Sequence, residues 1–362
     1  MNVDELETPA VLIDLDVVER NVAAMAERAR GHRVRLRPHA KTHKLPEIAR
    51  MQLAAGAAGI SLAKTGEAEV FARAGFDDIF LAYPVVGRDK GRRLLQLSDR
   101  VRLAVGVDSE EGARTLAEVF AAAGRTLDVV LKVDVGLHRA GVAPEAAVDV
   151  GRRIAALRGL RLRGVFTHAG QAYLAESAEG IAEVGRHEGR TLAAVGRALR
   201  EAGLPIEDVS VGSTPTAPHA MAEAGVTECR PGNYVYHDAS QVSLGTCAIE
   251  DCAMTVLATV VSVPAPDRAV LDAGSKTLSS DPLRPRPGGY GWILGRRSRL
   301  DRLSEEHGVV KVEPGEAFRV GERVRVLPNH ACVVSNLHDV LVGVRREEVE
   351  AELAVAARGR VR

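Results

Sequence analysis

"GISLAKTGEAEVFARAGFDDIFLAYP", residues 59–84, holds the pattern that decides the fold. Two short apolar runs, 59–64 and 78–84, flank a stretch of helical character, so the segment reads strand, helix, strand. The same alternation extends in both directions. Further runs lie at 34–40, 101–107, 128–136, 162–170, 208–213 and 226–232, which makes eight. "KLPEIARMQLAAG" (44–56) and "EEGARTLAEVFAAAG" (110–124) repeat apolar residues at helical spacing and end on Gly, a usual C-cap. "DLDVVERNVAAMAERAR" (14–30) is a further helix ahead of the first barrel run. Eight strands, each followed by a helical or loop crossover, predict an α/β fold over residues 13–240: a parallel (β/α)8 TIM-type barrel, with a doubly wound open sheet as the alternative.

Beyond about residue 240 the runs are β-rich and separated by Pro/Gly turns. A mostly β C-terminal domain is expected over 241–362, joined by residues 1–12. "PAVLIDL" (9–15) adds a strand to it, and the tail 347–360 is its one helical candidate.

The 362 residues are 46% hydrophobic and 27% charged, an ordinary globular balance that excludes a disordered chain. Forty-eight basic residues cancel forty-eight acidic ones, which argues against nucleic acid or an anionic membrane as partner. No apolar stretch reaches the roughly 20 residues of a membrane span. The acidic start lacks a signal peptide's basic and apolar parts, so the expected location is cytoplasmic. Cys229, Cys247, Cys252 and Cys332 are too few for a disulfide scaffold in a chain of this size.

A barrel of this type places its active site at the C-terminal ends of the strands. The first run continues into "RLRPHAKTHK" (35–44). If it stays extended, Arg35, Arg37, His39, Lys41 and His43 share one face. Neighbouring cations and partial burial then favour a neutral Lys41 amine, whose natural use is a Schiff base with an aldehyde. Lys44, off that parity, reads as an ordinary surface lysine. "GSTPT" (212–216) and "RPGNY" (230–234) end strands seven and eight, where barrels commonly bind phosphate through backbone N–H and hydroxyl groups. In "PNHAC" (328–332), His330 and Cys332 share a face if extended and suit a soft divalent ion. His307 in "LSEEHG" (303–308) is a candidate to support such a ligand.

Together, "TPAVLIDLD", "RPHAKTHK", "KVDVGLHRAGV", "GSTPT", "RPGNYVYHD", "DAGSKTLSSD", "LSEEHG" and "PNHAC" resemble, in order, the motifs of the D-threonine aldolase and D-serine dehydratase family of fold-type III pyridoxal-phosphate enzymes. The resemblance spans residue 8 to about 340. It implies a homodimeric lyase with pyridoxal 5'-phosphate and a divalent metal, Zn²⁺ or Mn²⁺, acting on a small D-amino acid. Lys41 would carry the cofactor, with His39 and His168 as further catalytic candidates. Arg139 would lie near the cofactor's phenolic oxygen, and Gln171 and Tyr173 in the pocket. Ser213, Thr214, Gly232, Asn233 and Tyr234 would hold the phosphate, and His330 and Cys332 the metal. Arg230 falls where racemases place a partner for the pyridine nitrogen.

Within that family the expected reaction is retro-aldol cleavage to glycine and an aldehyde. Dehydration of D-serine or D-3-hydroxyaspartate to a 2-oxo acid and ammonia is the alternative. Aldolases tend to carry His-x-Asp at the metal and dehydratases His-x-Cys, whereas "SNLHD" after Cys332 is aldolase-like. A pyridoxal-phosphate carrier protein is disfavoured because such proteins are the barrel alone. A racemase is disfavoured because Tyr290, the one tyrosine after residue 240, lies in a setting unlike the racemase motif.

Overall fold

The computed structural model describes residues 1–285 and 288–362. The chain enters through β1 (Ala10–Asp14) and α1 (Leu15–Gly31). Asp14 both ends the strand and caps the helix by accepting the Val17 N–H. The barrel strands follow: β2 (Arg35–Leu36), β3 (Ile60–Leu62), β4 (Asp78–Pro84), β5 (Arg102–Val107), β6 (Leu127–Lys132), β7 (Leu160–Phe166), β8 (Asp208–Val211) and β9 (Glu228–Cys229). Between them run α2 (Pro46–Ala54), α3 (Thr65–Arg73), α4 (Arg88–Leu97), α5 (Glu110–Ala122), α6 (Ala147–Ala155), α7 (Ala178–Glu201) and the short α8 (Ala217–Ala220).

All eight strands are parallel, in the order β2-β9-β8-β7-β6-β5-β4-β3. Three hydrogen bonds close the ring between its two ends: Ala58 N to Leu36 O, Ser61 N to Pro38 O and Ala40 N to Ser61 O, all 2.8–2.9 Å. This closure excludes the open sheet. Each predicted run overlaps one strand, with β6 and β7 starting one and two residues earlier than their runs.

The first run is corrected in its details. β2 ends at Leu36, Pro38 has no N–H for a ladder, and residues 40–43 turn. The cationic stripe therefore does not form. Arg37 is turned into the barrel's lower end, where Nε meets Glu228 at 2.8 Å and Nη1 meets Asp78 at 2.6 Å. Its charge is neutralised there. Above this ionic floor, Phe80 and Phe166 meet edge to face at 5.1 Å, so the barrel is plugged from below.

The second domain is built on a nine-stranded sheet. β10 (Met254–Ala265), β11 (Arg268–Leu271), β12 (Gly291–Ile293), β13 (Arg299–Leu303), β14 (Gly308–Lys311) and β15 (Arg323–Pro328) form a closed antiparallel ring. From β10 the sheet extends through β1, β16 (Val340–Arg345) and β17 (Glu348–Ala354). As expected, the N-terminal segment supplies a strand: β1 is antiparallel to β10 and parallel to β16. The tail is a strand rather than a helix. Glu348, Glu350 and Glu352 alternate outward with Val349, Ala351 and Leu353, a period of two that suits an edge. Three short helices, α9 (Ala239–Ser243), α10 (Ser275–Leu278) and α11 (Ala331–Leu337), lie in the connections. Among the described residues no helix is long and apolar enough to cross a membrane.

Candidate active site

The turn after β2 places Lys41 at the barrel's upper mouth. Burial holds its pKa below the ordinary lysine value; Arg139 and Arg230 act in the same direction, while Cys332 and Glu67 oppose them. The direction of this shift is the one expected from the sequence, with different neighbours from those expected. His39 is buried, and desolvation, then Lys41, Arg230 and His168, hold its imidazole well below the usual range. His43 faces the core instead. It accepts the Leu45 N–H at Nδ1, so Nε2 donates to Gln52 Oε1 at 3.3 Å. Lys44 is also buried and pairs with Glu67 at 3.0 Å, which corrects its reading as a surface lysine.

His168 follows β7. Its Nδ1 lies 2.9 Å from the Gly212 carbonyl and must carry the proton, which leaves Nε2 as a free acceptor. Burial, and then Lys41, push its pKa down to about 3. Gln171 donates to Val135 O at 2.9 Å, and its Oε1 is buried without a partner. Arg230 is fixed under the mouth: Nε donates to Ser210 Oγ at 2.8 Å and Nη2 to the Thr167 carbonyl. Lys132, which sequence reasoning missed, ends β6 with its ammonium 5.8 Å from the Phe166 ring. Burial first, then Arg139 and Arg230, lower its pKa to about 8.

Two glycine loops face each other beside Lys41. A Cβ on Gly212 (φ +148°) would stand 2.7 Å from Arg230 N, and one on Gly232 would stand 2.8 Å from Thr42 Oγ1. Only bare backbone fits at either point. Thr214 Oγ1 accepts the Tyr234 N–H at 3.0 Å and ties the loops together. Among the described residues the N–H groups of Ser213, Thr214, Gly232 and Asn233 have no intramolecular acceptor, which makes a nest suited to an anion. The Tyr234 side chain points the other way, into the core, where its hydroxyl accepts from Gln52 Nε2 at 3.0 Å.

His330 and Cys332 converge, though not on an extended segment. His330 is the N-cap of α11 with extended dihedrals, and Cys332 lies in the first turn. Asp281 Oδ2 takes His330 Nδ1 at 2.6 Å, leaving Nε2 for a ligand. The Cys332 thiol lies 3.2 Å from Thr42 Oγ1 and 3.8 Å from Asn233 Nδ2. Burial alone would raise its pKa, but His330, Thr42 and Lys41 outweigh that and lower it. Among the described residues no group of three or more His, Cys, Asp or Glu side chains could hold a metal, so this pair would need ligands from elsewhere. The carboxylate supporting His330 is Asp281. His307 is exposed, and its neighbours Glu305 and Glu306 both pair with Lys276 at 2.8 Å.

Asp238, also missed, joins the two halves of the site. It is 1% exposed, and its Oδ1 caps α9 through the Gln241 N–H at 3.0 Å. Its Oδ2 accepts from Asn233 Nδ2 at 2.6 Å and from Ala331 N at 3.1 Å. Asn233 belongs to the barrel's anion loop and Ala331 sits between the two metal candidates. In the sequence it closes the motif "RPGNYVYHD", where no role was assigned to it.

A closed barrel with a half-buried lysine in the turn after its first strand, an anion nest at its last two, and a β domain bringing His330 and Cys332 against it define a class of fold. The alanine racemase N-terminal domain model matches residues 13–240, and a serine dehydratase domain model matches 253–344. The chain belongs to this alanine racemase-type family, in the branch that joins the barrel to a serine dehydratase-type domain. It is 37% identical over 359 residues to a D-threonine aldolase of Arthrobacter sp., covering 98% of this chain and 93% of that one. It is 39% identical over 348 residues to a D-threo-3-hydroxyaspartate dehydratase of Delftia sp. (strain HT23), covering 90% and 91%. Among solved structures, a cysteine-to-alanine variant of D-threo-3-hydroxyaspartate dehydratase in a metal-free form superposes with a TM-score of 0.92 at 36% identity, covering 98% of each chain.

Proposed function

We propose that the protein is a lyase for D-β-hydroxy-α-amino acids that uses pyridoxal 5'-phosphate and a divalent metal. The observation that carries this reading is the contact between Thr42 and Cys332. It sets the metal candidates against the residue next to Lys41, so one small substrate can touch both. The residues present fit both groups. The loops at Gly212 and Gly232 form a cradle that a Cβ would fill, and His39 Nδ1 and Asn233 Oδ1 are buried without partners beside it. The fixed Nδ1 of His330 and the lowered pKa of Cys332 suit a thiophilic divalent ion.

Lys41 would hold the cofactor's aldehyde carbon, the 212–214 and 232–233 loops its phosphate, and His330 and Cys332 the metal. When bound, the cofactor supplies an electron sink for charge developing at Cα, and the metal a Lewis acid for the β-hydroxyl. His168 contributes a neutral imidazole whose tautomer presents Nε2 as a proton acceptor. Burial, helped by Arg139 and Arg230, lowers the Lys41 pKa and so favours the amine that can take or return a proton. In an aldolase, His168 would remove the β-hydroxyl proton as the Cα–Cβ bond breaks. The cysteine at 332 favours a second reading, dehydration, in which Lys41 removes the α-proton and the β-hydroxyl leaves.

The test is a product assay on D-threonine with pyridoxal phosphate and Mn²⁺ or Zn²⁺. Glycine and acetaldehyde in equal amounts identify cleavage. 2-Oxobutanoate and ammonia identify dehydration. Neither product from D-threonine, D-serine or D-3-hydroxyaspartate overturns the proposal.

A further inference from the structure

Glu188 lies in the middle of α7 and is 0% exposed. Its carboxyl points inward and is wholly engaged with the ends of β7 and β8. Oε1 accepts from Ala169 N at 3.3 Å and from Gly212 N at 3.0 Å. Oε2 lies 2.7 Å from Thr216 Oγ1, and Thr216 Oγ1 lies 2.8 Å from Ser213 Oγ. Among the described residues no basic side chain approaches Glu188 within ion-pairing distance, although its side chain is fully buried. An isolated buried carboxylate is costly, so the site favours the acid form. Burial raises its pKa against the pull of Gly212 N, Thr216 and Arg230.

The three oxygens permit two arrangements, because each hydroxyl carries one hydrogen. If Glu188 is ionised, Thr216 must donate to it and Ser213 must donate to Thr216. Ser213 then shows an anion only lone pairs. If Glu188 is protonated, it donates to Thr216, Thr216 donates to Ser213, and the Ser213 hydrogen is free to point outward. A phosphate in the 212–214 loop selects the second arrangement.

We propose that Glu188 is a positioning residue whose proton, relayed through Thr216, makes Ser213 a donor to the cofactor's phosphate, so that phosphate affinity depends on Glu188 staying protonated. This deepens the proposed function and rests on it. When Glu188 is ionised beforehand, phosphate binding draws one proton from solvent. Other titratable groups around Glu188 are Arg230 and Cys229 on and after β9, and His168 on the opposite side of the Gly212 peptide. His219 of α8 packs against α7 at Gly185, and Arg186 and His187 lie on α7 itself.

The test compares pyridoxal phosphate with pyridoxal, which lacks the phosphate, as ligands of the full-length chain stripped of cofactor. Dissociation constants are read by absorbance from pH 7 to 9.5, where the phosphate is already a dianion. Their ratio cancels the titration of Lys41, which both ligands share. In the wild-type protein the preference for the phosphorylated ligand should fall about tenfold as rising pH ionises Glu188, the worth of one charge-assisted hydrogen bond. In Glu188→Gln the amide keeps accepting at Oε1 and donates to Thr216, so the preference should stay at its pH 7 value throughout. Thr216→Val removes the hydroxyl that competes for the Ser213 hydrogen, so the preference should lose its pH dependence while pyridoxal affinity is unchanged. A Glu188→Gln or a Thr216→Val preference that follows the wild-type pH curve overturns the relay. A wild-type chain that binds neither ligand overturns the cofactor reading, and the relay with it.

Discussion

Removing the Asp238 carboxyl should loosen both halves of the site at once, by an amount the structure lets one count. In Asp238→Ala three accepted N–H bonds disappear. Loss of the α9 cap costs about 1 kcal/mol. Leaving the buried Ala331 N–H without an acceptor costs about 2 kcal/mol, and the Asn233 amide bond about 1 kcal/mol. The expected destabilisation is therefore about 4 kcal/mol. Asp238→Asn should cost less. Its Oδ1 keeps the cap, and Asn233 can flip to offer the Oδ1 that now lacks a partner. Only the Ala331 bond is then lost, for about 2 kcal/mol. Urea unfolding of the metal-free protein measures both values. Because Ala331 sits between His330 and Cys332, both variants should also bind the metal about 10-fold to 100-fold more weakly in an equilibrium competition with a chelator. Equal destabilisation by the two substitutions, or either falling below about 1 kcal/mol, would refute the bond count. Unchanged metal affinity in a destabilised Asp238→Ala protein would show that the two loops are positioned independently.

Lys41→Ala should abolish the visible absorption band of the cofactor-loaded protein; a band still reducible by borohydride would remove Lys41 from the site. Chelation should stop turnover while that band persists, and full activity in a verified metal-free sample would exclude His330 and Cys332 as ligands. Glu228 should make the barrel acid-labile: burial alone would raise its pKa, but Arg37 and Ser210 outweigh that and hold the carboxyl below its ordinary value. Its contribution is therefore present above the unfolded pKa near about 4.3 and is lost as pH falls through the lower folded value. Glu228→Gln should cost about 3 kcal/mol at pH 7 and progressively less at lower pH, so that parallel unfolding curves at pH 7 and pH 3 would contradict it.

The alternation of apolar runs and helical stretches exposed the barrel because period and length are local properties. "DIFLAYP" coincides with β4, Asp78–Pro84. What was not legible depends on partners distant in the chain. Arg37 looked like a neighbour of Lys41, but Glu228, 191 residues on, draws it to the opposite end of the barrel. His43 was displaced from the mouth by its bonds to Leu45 and Gln52. The tail has spacing compatible with either period, and pairing with β16 decided it. Asp238 and Asp281 close quoted motifs, but their roles, like that of Glu188, were hidden because an acid that serves N–H groups or an imidazole looks, in sequence, like any surface carboxylate. The glycine loops and the "PNHAC" segment were visible as motifs, whereas the helical start that brings His330 and Cys332 together was not.

The place of β1 in the sheet has a consequence for biosynthesis. Its residues Val11, Leu12 and Ile13 end up fully buried, paired on one side with β10 and on the other with β16. Those partners emerge about 240 and 330 residues later, so at roughly 10 residues per second the strand's second edge stays open for about half a minute. During that interval the barrel can assemble while an apolar strand hangs from its first helix. That interval exposes the nascent chain to mispairing and makes β1 a natural holding point for a chaperone.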